Sequence, residues 1–597
     1  MQTANTLLQV ISERGQDRLP LERMYRQLFN RELYLIAYGR IYRNSGAMTT
    51  GSTSETVDGM SLKRIDAIIT DLRFERYRWT PVRRVYIEKK RSKKLRPLGI
   101  PTWSDKLLQE VIRLILEAYF EPQFSTHSHG FRRNRGCHTA LQEIYRTWSG
   151  TTWIIEGDIS GCFDNLDHTI LINTLRQHIH DNRFIRLIEE LLKAGYLEDW
   201  KYNATLSGSS QGGVVSPILA NIYLDRLDSF VESILIPQHS RGDRRHINPA
   251  YARINSRRKR LRKKGYREEA AELRKQALRL PSLDPNDPNY RRLRYTRYAD
   301  DFVLGFCGPE SEAEEIKRQL KTFLKDELKL ELSESKTLIT HARSQKARFL
   351  GYDIHVIQNN QLRDKRGIRT TNGGIGLTVP EEVIREKYQT YMQNGKPVHR
   401  TMLTHNSVFS TVAQYQQEYR GIVEYYKLAY NLHRFNQLKW IMEVSLTKTL
   451  ACKLRISVSQ VRARFLSTIQ TPDGPRKVIK VIIERQGRSP LQTYWGGISL
   501  KRQIDAILND HPRKVWNDSR SELVQRLLAQ TCELCGSQVE VEVHHIRGLK
   551  DLKQKGRSEP PEWVKVMAAR RRKTLVVCKK CHDDIHAGRV DQNIVRR

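Results

Sequence analysis

The sequence predicts an α+β protein of several domains, and three observations predict it. The chain has 597 residues, too many for one hydrophobic core. Two apolar runs rich in strand formers carry carboxylates at their ends: Trp153 to Asp158, and Arg294 to Phe306 with Asp300 and Asp301 at its centre. The second alternates before the acids and is apolar after them, so it reads as a hairpin with Tyr298 to Asp301 at the turn. Stretches with helical apolar spacing surround these strands, and two Cys-x-x-Cys pairs, Cys532/Cys535 and Cys578/Cys581, lie near the C-terminal end.

The elements follow in order. The first seventy or so residues read as helices broken by a Gly/Ser/Thr-rich loop from Ser45 to Ser54. Val82 to Ile87 and Leu95 to Ile100 form a basic hairpin with its tip at Lys89 to Lys94. The carboxylate-bearing strands are separated by an insertion at about 236–292. It holds Arg257-Arg258-Lys259-Arg260-Leu261-Arg262-Lys263-Lys264, a charged helical stretch, and a loop with Pro281, Pro285 and Pro288. A run this basic repels itself unless phosphates sit nearby, although a solvated helix is the alternative. From about 380 to 465 the pattern is helical. Tyr415, Tyr419, Ile422, Tyr426 and Ala429 share a face, and such a stripe is more often core than a base-stacking surface. A basic region at about 471–530 ends in a helical stretch from Arg520 to Gln530 and carries no chemistry of its own.

The charge points to a partner. Lys+Arg number 103 against 66 Asp+Glu, a net +37, so a polyanion is expected, nucleic acid before membrane surface. No segment is apolar over a bilayer-spanning length, and Met1 to Pro20 lacks a signal-like apolar stretch. An intracellular location is therefore expected, and in a reducing compartment paired cysteines favour metal over disulfide.

Adjacent carboxylates at a turn repel unless a cation neutralises them. Mg²⁺ suits them because it takes hard oxygens and leaves room for phosphates. A solvated turn explains Asp300-Asp301 alone. Asp158, at the end of a second strand, changes the balance, because two strands delivering carboxylates to one place make a two-metal phosphoryl-transfer site. Gln211 lies in a turn with Gly212 and Gly213, where the backbone can approach a nucleotide closely.

Tyr298-Ala299-Asp300-Asp301 with Asp158 resembles the palm of reverse transcriptases. Further blocks stand in the order seen in proteins encoded within group II introns. They are Arg96-Pro97-Leu98-Gly99-Ile100-Pro101 with Asp105 to Gln109, His129-Gly130-Phe131-Arg132, Ser209 to Pro217, Phe349-Leu350-Gly351-Tyr352, and Arg420 to Tyr426 with Thr447 to Ala451. Ser210 departs from the Pro usual before Gln211. The resemblance implies a right-hand polymerase: fingers and palm over 1–365, a helical thumb or maturase domain over 366–470, a DNA-binding region over 471–530, and a last module over 531–597. It implies two Mg²⁺ ions on Asp158, Asp300, Asp301 and the Ile159 carbonyl. Lys89, Lys90 and Arg96 would contact the triphosphate, Phe163 would lie under the sugar, and Lys336 would donate a proton to pyrophosphate. The alternative for Phe163 is an ordinary core aromatic. Partners implied are group II intron RNA, target double-stranded DNA and dNTPs, in bacterial cytoplasm or nucleoid, with no membrane.

Four thiolates in two tight pairs suit a structural Zn²⁺. Between and after them stand Glu542-Val543-His544-His545-Ile546 and His582-Asp583-Asp584-Ile585-His586, the last two histidines at i, i+4 on one helix face. This arrangement resembles HNH endonucleases of the ββα-metal type. The resemblance implies that His545 is the general base and that His544, His582 and His586 hold Mg²⁺ or Mn²⁺. Lys573 or Thr574 stands where such folds carry Asn. The Arg570 to Lys573 run beside it suits phosphates. The whole reads as an RNA-directed DNA polymerase, splicing maturase and DNA endonuclease for retrohoming. Alternatives are a reverse transcriptase of another bacterial retroelement and an RNA-binding splicing factor without active centres. The thumb and HNH resemblances oppose the first, and Asp158, Asp300 and Asp301 oppose the second.

Overall fold

The computed structural model describes the chain except for positions 1, 45, 89–94, 199–200, 204–207, 209–211, 285–286, 360–371, 486–487, 509–521, 553–560, 571 and 590–597. Lys89, Lys90, Gln211 and the hairpin tip thus lie outside the described residues.

The central element is a four-stranded sheet ordered Arg292–Tyr298, Asp301–Cys307, Trp153–Asp158, Ile339–His341. All three pairings are antiparallel. The middle strands read as almost continuous apolar runs because both of their faces are covered. One face packs on the helices Trp103–Phe120, Ser216–Phe230 and Glu310–Leu328, within a large core that also takes in the N-terminal helices Ala4–Gln16, Arg31–Ile41 and Leu62–Arg73. Trp103–Phe120 is buried along nearly its whole length, its polar members such as Asp105, Gln109 and Glu110 included. Gly157 pairs with Phe302 across the sheet, and a Cβ there would stand 2.2 Å from the Phe302 ring.

The basic hairpin forms as expected, Val82–Glu88 pairing antiparallel with Leu95–Ile100. The insertion folds as two packed helices, Pro249–Lys263 and Arg267–Ala277. The first has no buried residue, so its positive charges face solvent.

A second core gathers the helices Glu381–Gln389, Val408–Tyr425, Phe435–Leu454 and Val458–Phe465. Tyr415 and Tyr419 are fully buried, and the Tyr415 hydroxyl meets Ser445 Oγ at 2.8 Å. Tyr426 and Ala429 are buried beyond the helix end, while Ile422 sits at the edge. A three-stranded antiparallel sheet, Leu466–Thr471, Gly474–Arg485 and Arg488–Gly496, packs on this core through Ile479, Val481 and Trp495. The division expected between 470 and 471 falls inside that sheet. Its strands escaped the sequence reading because charged residues alternate with the few buried ones. Tyr425 and Tyr426 donate hydrogen bonds to the carbonyls of Leu350 and Gly351, which joins this unit to the strand that follows the central sheet.

The C-terminal module is ββα. Val541–His545 pairs antiparallel with Thr574–Cys578, and the helix Lys579–Ala587 follows directly. Its sheet gains an edge from the N-terminal region: Gly59 N–H donates to the Val543 carbonyl at 3.0 Å, and Val543 N–H to the Met60 carbonyl at 2.9 Å. Val541, Val543 and Val576 belong to the same core as the N-terminal helices.

Candidate functional sites

Strand register builds the first site. Asp158 and Asp301 stand directly opposite each other on adjacent strands, and Tyr298 pairs with Asp301, leaving Ala299 and Asp300 as a two-residue turn. Ala299 has φ +56°. That is the left-handed conformation such turns require at their first position, and a residue with a Cβ holds it at a cost. The turn is pressed on the His129-Gly130 block: a Cβ on Gly130 would lie 2.3 Å from Ala299 N.

The three carboxylates repel one another. Burial raises Asp300 above its usual range, and Asp158 adds to that. Asp301 reaches solvent at the mouth of the site, yet desolvation, with Asp300 and Asp158 contributing, pushes it up to about 6. Carboxylates held together at such expense fit hard divalent cations. Lys336 now supplies the positive charge, its Nζ lying 3.1 and 3.0 Å from the two Asp158 oxygens. Arg96 is exposed and acts electrostatically on Asp300. Ile159 bridges Leu332 through its neighbours, Ser160 N–H to Glu331 O and Ser333 N–H to Asp158 O, so the bridge leaves the Ile159 carbonyl unused. Phe163 is half-buried in the turn Cys162–Asp164, edge-on to Phe131 at 6.3 Å. Gly212, next to the undescribed Gln211, packs against the Arg96 to Pro101 block, with the Gly99 carbonyl 2.6 Å from where its Cβ would be.

Sequence reasoning missed what holds the turn. Arg297 is 0% and Asp228 1% exposed. Arg297 donates Nε–H to Asp228 Oδ1 at 2.7 Å and Nη2–H to Oδ2 at 2.5 Å. Its Nη1 donates to the Ala299 carbonyl at 2.8 Å. Tyr295 OH donates to the same Asp228 carboxylate at 2.8 Å, and Asn221 Nδ2 donates to the Gly130 carbonyl at 2.9 Å. The available signal was Arg297 itself, a charge on the inward side of an alternating strand.

The second site lies in the ββα module. Cys532, Cys535, Cys578 and Cys581 bring their sulfurs within 4.8 Å of one another, a donor set and spacing that fit tetrahedral thiolate coordination. His544, His582 and His586 also meet: His582 Nε2 is 3.1 Å from His544 Nδ1 and 3.1 Å from His586 Nε2. His582 Nδ1 is 2.6 Å from Glu542 Oε1, the outer hydrogen bond that fixes a ligating imidazole. The sequence did not reveal a fourth member, Asp58, whose Oδ2 lies 2.7 Å from His586 Nε2 and Oδ1 3.1 Å from His582 Nε2. No local pattern marks it, since the two residues are 524 positions apart. His545 is 5% exposed, its Nε2 is 2.9 Å from Tyr38 OH, and burial pushes it down to about 3. At the position where Asn was expected, Lys573 ties the loop by its backbone: its carbonyl accepts from Ile546 N–H at 3.0 Å. His545 borders a cleft of about 990 Å³ whose wall includes Arg43, Arg526, Arg547, Arg570, Arg572 and Lys573.

Paired carboxylates on a sheet and a histidine cluster on a ββα module define a chain with two separate reaction centres. The family described as reverse transcriptase (RNA-dependent DNA polymerase) matches residues 87–248, type II intron maturase matches 381–483, and AI2M/AI1M-like HNH endonuclease matches 532–582. The chain is 39% identical to the group II intron-encoded protein LtrA of Lactococcus lactis subsp. cremoris, over 98% of this chain and 99% of that one. It is 34% identical to an uncharacterized 91 kDa protein in the cob intron of Schizosaccharomyces pombe, over 95% of this chain and 70% of that one. It is 31% identical to a putative COX1/OXI3 intron 1 protein of Saccharomyces cerevisiae, over 93% of this chain and 68% of that one. The chain belongs to the group II intron-encoded proteins, with reverse transcriptase, maturase and HNH endonuclease roles. No helix among the described residues is long and apolar enough to cross a membrane.

Proposed function

We propose that the central sheet is the palm of a right-hand polymerase, the hairpin Val82–Glu88/Leu95–Ile100 part of its fingers, and the helices from Glu381 to Phe465 its thumb. In this reading the thumb continues through Gly496, because the sheet there shares its core. A DNA-binding region then runs to about 530, and the nuclease module follows it.

The observation that carries the reading is the register of Asp158 opposite Asp301 with Asp300 in the adjoining turn. Asp158, Asp300, Asp301 and the Ile159 carbonyl would hold two Mg²⁺ ions, which when bound acidify a primer 3′-hydroxyl and neutralise a dNTP triphosphate. Lys336 holds a proton on Nζ beside Asp158 and can pass it to pyrophosphate. Arg96, Lys89 and Lys90 would contact the triphosphate. Phe163 would limit the space at the sugar, and Gln211 would contact the nucleotide. Intron RNA would lie on the exposed basic helix Pro249–Lys263, since affinity for structured RNA comes from phosphates and shape.

At the other centre His544, His582 and His586 would hold a divalent ion, Mg²⁺ or Mn²⁺, and His545 would take a proton from water. Zn²⁺ on the four cysteines would hold the module's frame. Target double-stranded DNA would be nicked here and the new 3′-end extended at the palm, in the bacterial cytoplasm or nucleoid. Primer extension on an RNA template and nicking of a cognate duplex test both centres. Asp300→Ala should stop extension and spare nicking, and His545→Ala should do the reverse. Extension near wild type in Asp300→Ala would remove the palm assignment.

A further inference from the structure

The two atoms that an HNH nuclease needs free are both covered by the N-terminal region. The ligand atoms His544 Nδ1, His582 Nε2 and His586 Nε2 converge on one point, and Asp58 fills the remaining side with contacts of 3.4, 3.1 and 2.7 Å to them. Adjacent ligand atoms of a six-coordinate ion stand roughly 3.0 Å apart for bonds of about 2.1 Å, and these contacts lie about that spacing. Three protein ligands leave coordination positions for substrate, and a fourth fills one of them. The second atom is His545 Nε2, which meets Tyr38 OH at 2.9 Å.

The backbone reinforces both contacts. Gly59 and Met60 form an antiparallel bridge to Val543 through two hydrogen bonds, and His545 N–H donates to Asp58 Oδ1 at 2.7 Å. Lys63 Nζ reaches Glu540 Oε1 at 2.8 Å at the rim. The basic cleft beside His545 offers phosphates a way in, and Asp58 occupies a position beside the three histidines that a phosphate oxygen would otherwise take.

We propose that Asp58 is a fourth ligand of the nuclease ion, donated by the reverse transcriptase region, and that with Tyr38 it latches the HNH module in a closed, uncut state. The ion itself then strengthens the docking. DNA cleavage requires residues 58–60 to part from Val543, so that a phosphate oxygen takes the position of the Asp58 carboxylate and His545 is released from Tyr38. This rests on the nuclease-site reading above, and the test separates the two.

The test uses the full-length protein without intron RNA. With the palm carboxylates disabled by Asp300→Ala and Asp301→Asn, Mn²⁺ binding at the histidine site is followed by electron paramagnetic resonance with the cysteine site held in Zn²⁺, docking by hydrogen exchange of residues 541–545, and cutting by nicking of supercoiled plasmid. In this background, Mn²⁺ should slow exchange of 541–545. Asp58→Ala should weaken Mn²⁺ binding ~10-fold, abolish the Mn²⁺-dependent protection, and raise nicking ~10-fold or more as the open state becomes populated. Tyr38→Phe, which removes only a hydroxyl, should raise nicking while keeping Mn²⁺ affinity. Adding His545→Ala to either variant should abolish the released nicking. Unchanged melting of the main domain shows that the variants fold. If His582→Ala loses Mn²⁺ but Asp58→Ala changes neither binding nor exchange, the latch is wrong and the nuclease site stands. If Asp58→Ala lowers nicking, Asp58 is a working ligand and the closed state is wrong. If His582→Ala leaves Mn²⁺ binding intact, both readings fall.

Discussion

Arg297 offers the sharpest test of how the polymerase turn is held. The guanidinium and the Asp228 carboxylate are buried to 0% and 1% exposure and bonded through two N–H groups. Removing one partner of such a pair leaves an uncompensated buried charge and costs about 3–5 kcal/mol. Arg297→Met should therefore destabilise the unit built on the central sheet by that amount. At roughly 2 °C or more per kcal/mol for a unit of this size, its melting transition should fall by ~6 °C or more. Asp228→Leu should do the same. The double variant should recover part of the loss, because an apolar pair replaces an ion pair at little cost. It should not recover primer extension, since Nη1 of Arg297 also holds the Ala299 carbonyl at 2.8 Å. Differential scanning calorimetry and primer extension on all three variants form the cycle. A double variant that extends primers at the wild-type rate would show that the turn keeps its shape without Arg297. A single variant with an unchanged transition would remove the pair as a structural element.

Two further outcomes are expected. Asp301, at about 6 in the ion-free fold, lies above the unfolded carboxylate value of about 3.9. The folded state holds its proton more tightly, so the ion-free protein loses stability as pH rises from about 4 to about 6, on the order of 1 kcal/mol after allowance for solvent exposure. Mg²⁺ should restore it, and its stabilising shift in melting temperature should be larger at pH 7.5 than at pH 5; equal shifts would contradict the assignment. Deleting 249–277 should flatten the salt dependence of intron RNA affinity, because the exposed helix Pro249–Lys263 releases counterions on binding. An unchanged slope in a filter-binding series would place the RNA elsewhere.

Much of the first site was legible because its signal is local. Asp158, Asp300 and Asp301 lie at the ends of strands whose apolar pattern declares them, and the two-residue turn sets Tyr298 opposite Asp301; the pairing of Asp158 with Asp301 joins strands distant in sequence and was not legible in detail. The basic hairpin and the charged helices of the insertion were legible for the same reason, and the ββα order through the resemblance of its histidine motifs to HNH endonucleases. The sheet from Leu466 to Gly496 was not, since only a few of its residues are buried and its strands carry charge on the open face. Asp58 and Tyr38 were not legible either. An aspartate in a polar loop looks like any solvated turn residue, and its meaning comes from a contact with a module more than 480 positions away. Arg297 stood in plain view inside the diagnostic segment, but the pattern alone did not supply its partner, Asp228.

The cysteine cluster bears on the nuclease through geometry. Cys578 is the N-cap of the helix Lys579–Ala587, and Cys581 stands in its first turn. The same helix presents His582 and His586. Cys578 also closes the strand whose partner carries His544 and His545. An ion on the four sulfurs therefore fixes the start of the helix and the end of the strand at one point, and the histidines are positioned from there. Among the described residues the apolar cluster specific to this module is small, ten buried residues including three of the cysteines, so metal binding would supply much of its folding energy. Cys578→Ser, or extraction of Zn²⁺ by a chelator, should raise hydrogen exchange across 574–587 and lose both Mn²⁺ binding and nicking. Primer extension on an annealed oligonucleotide should persist, because the carboxylate strands draw on a different part of the core. Elemental analysis should give one Zn²⁺ per chain. Zinc-free protein with undisturbed exchange over 574–587 would show that the four thiols only pack there, and that the histidines are held by the docked N-terminal segment instead.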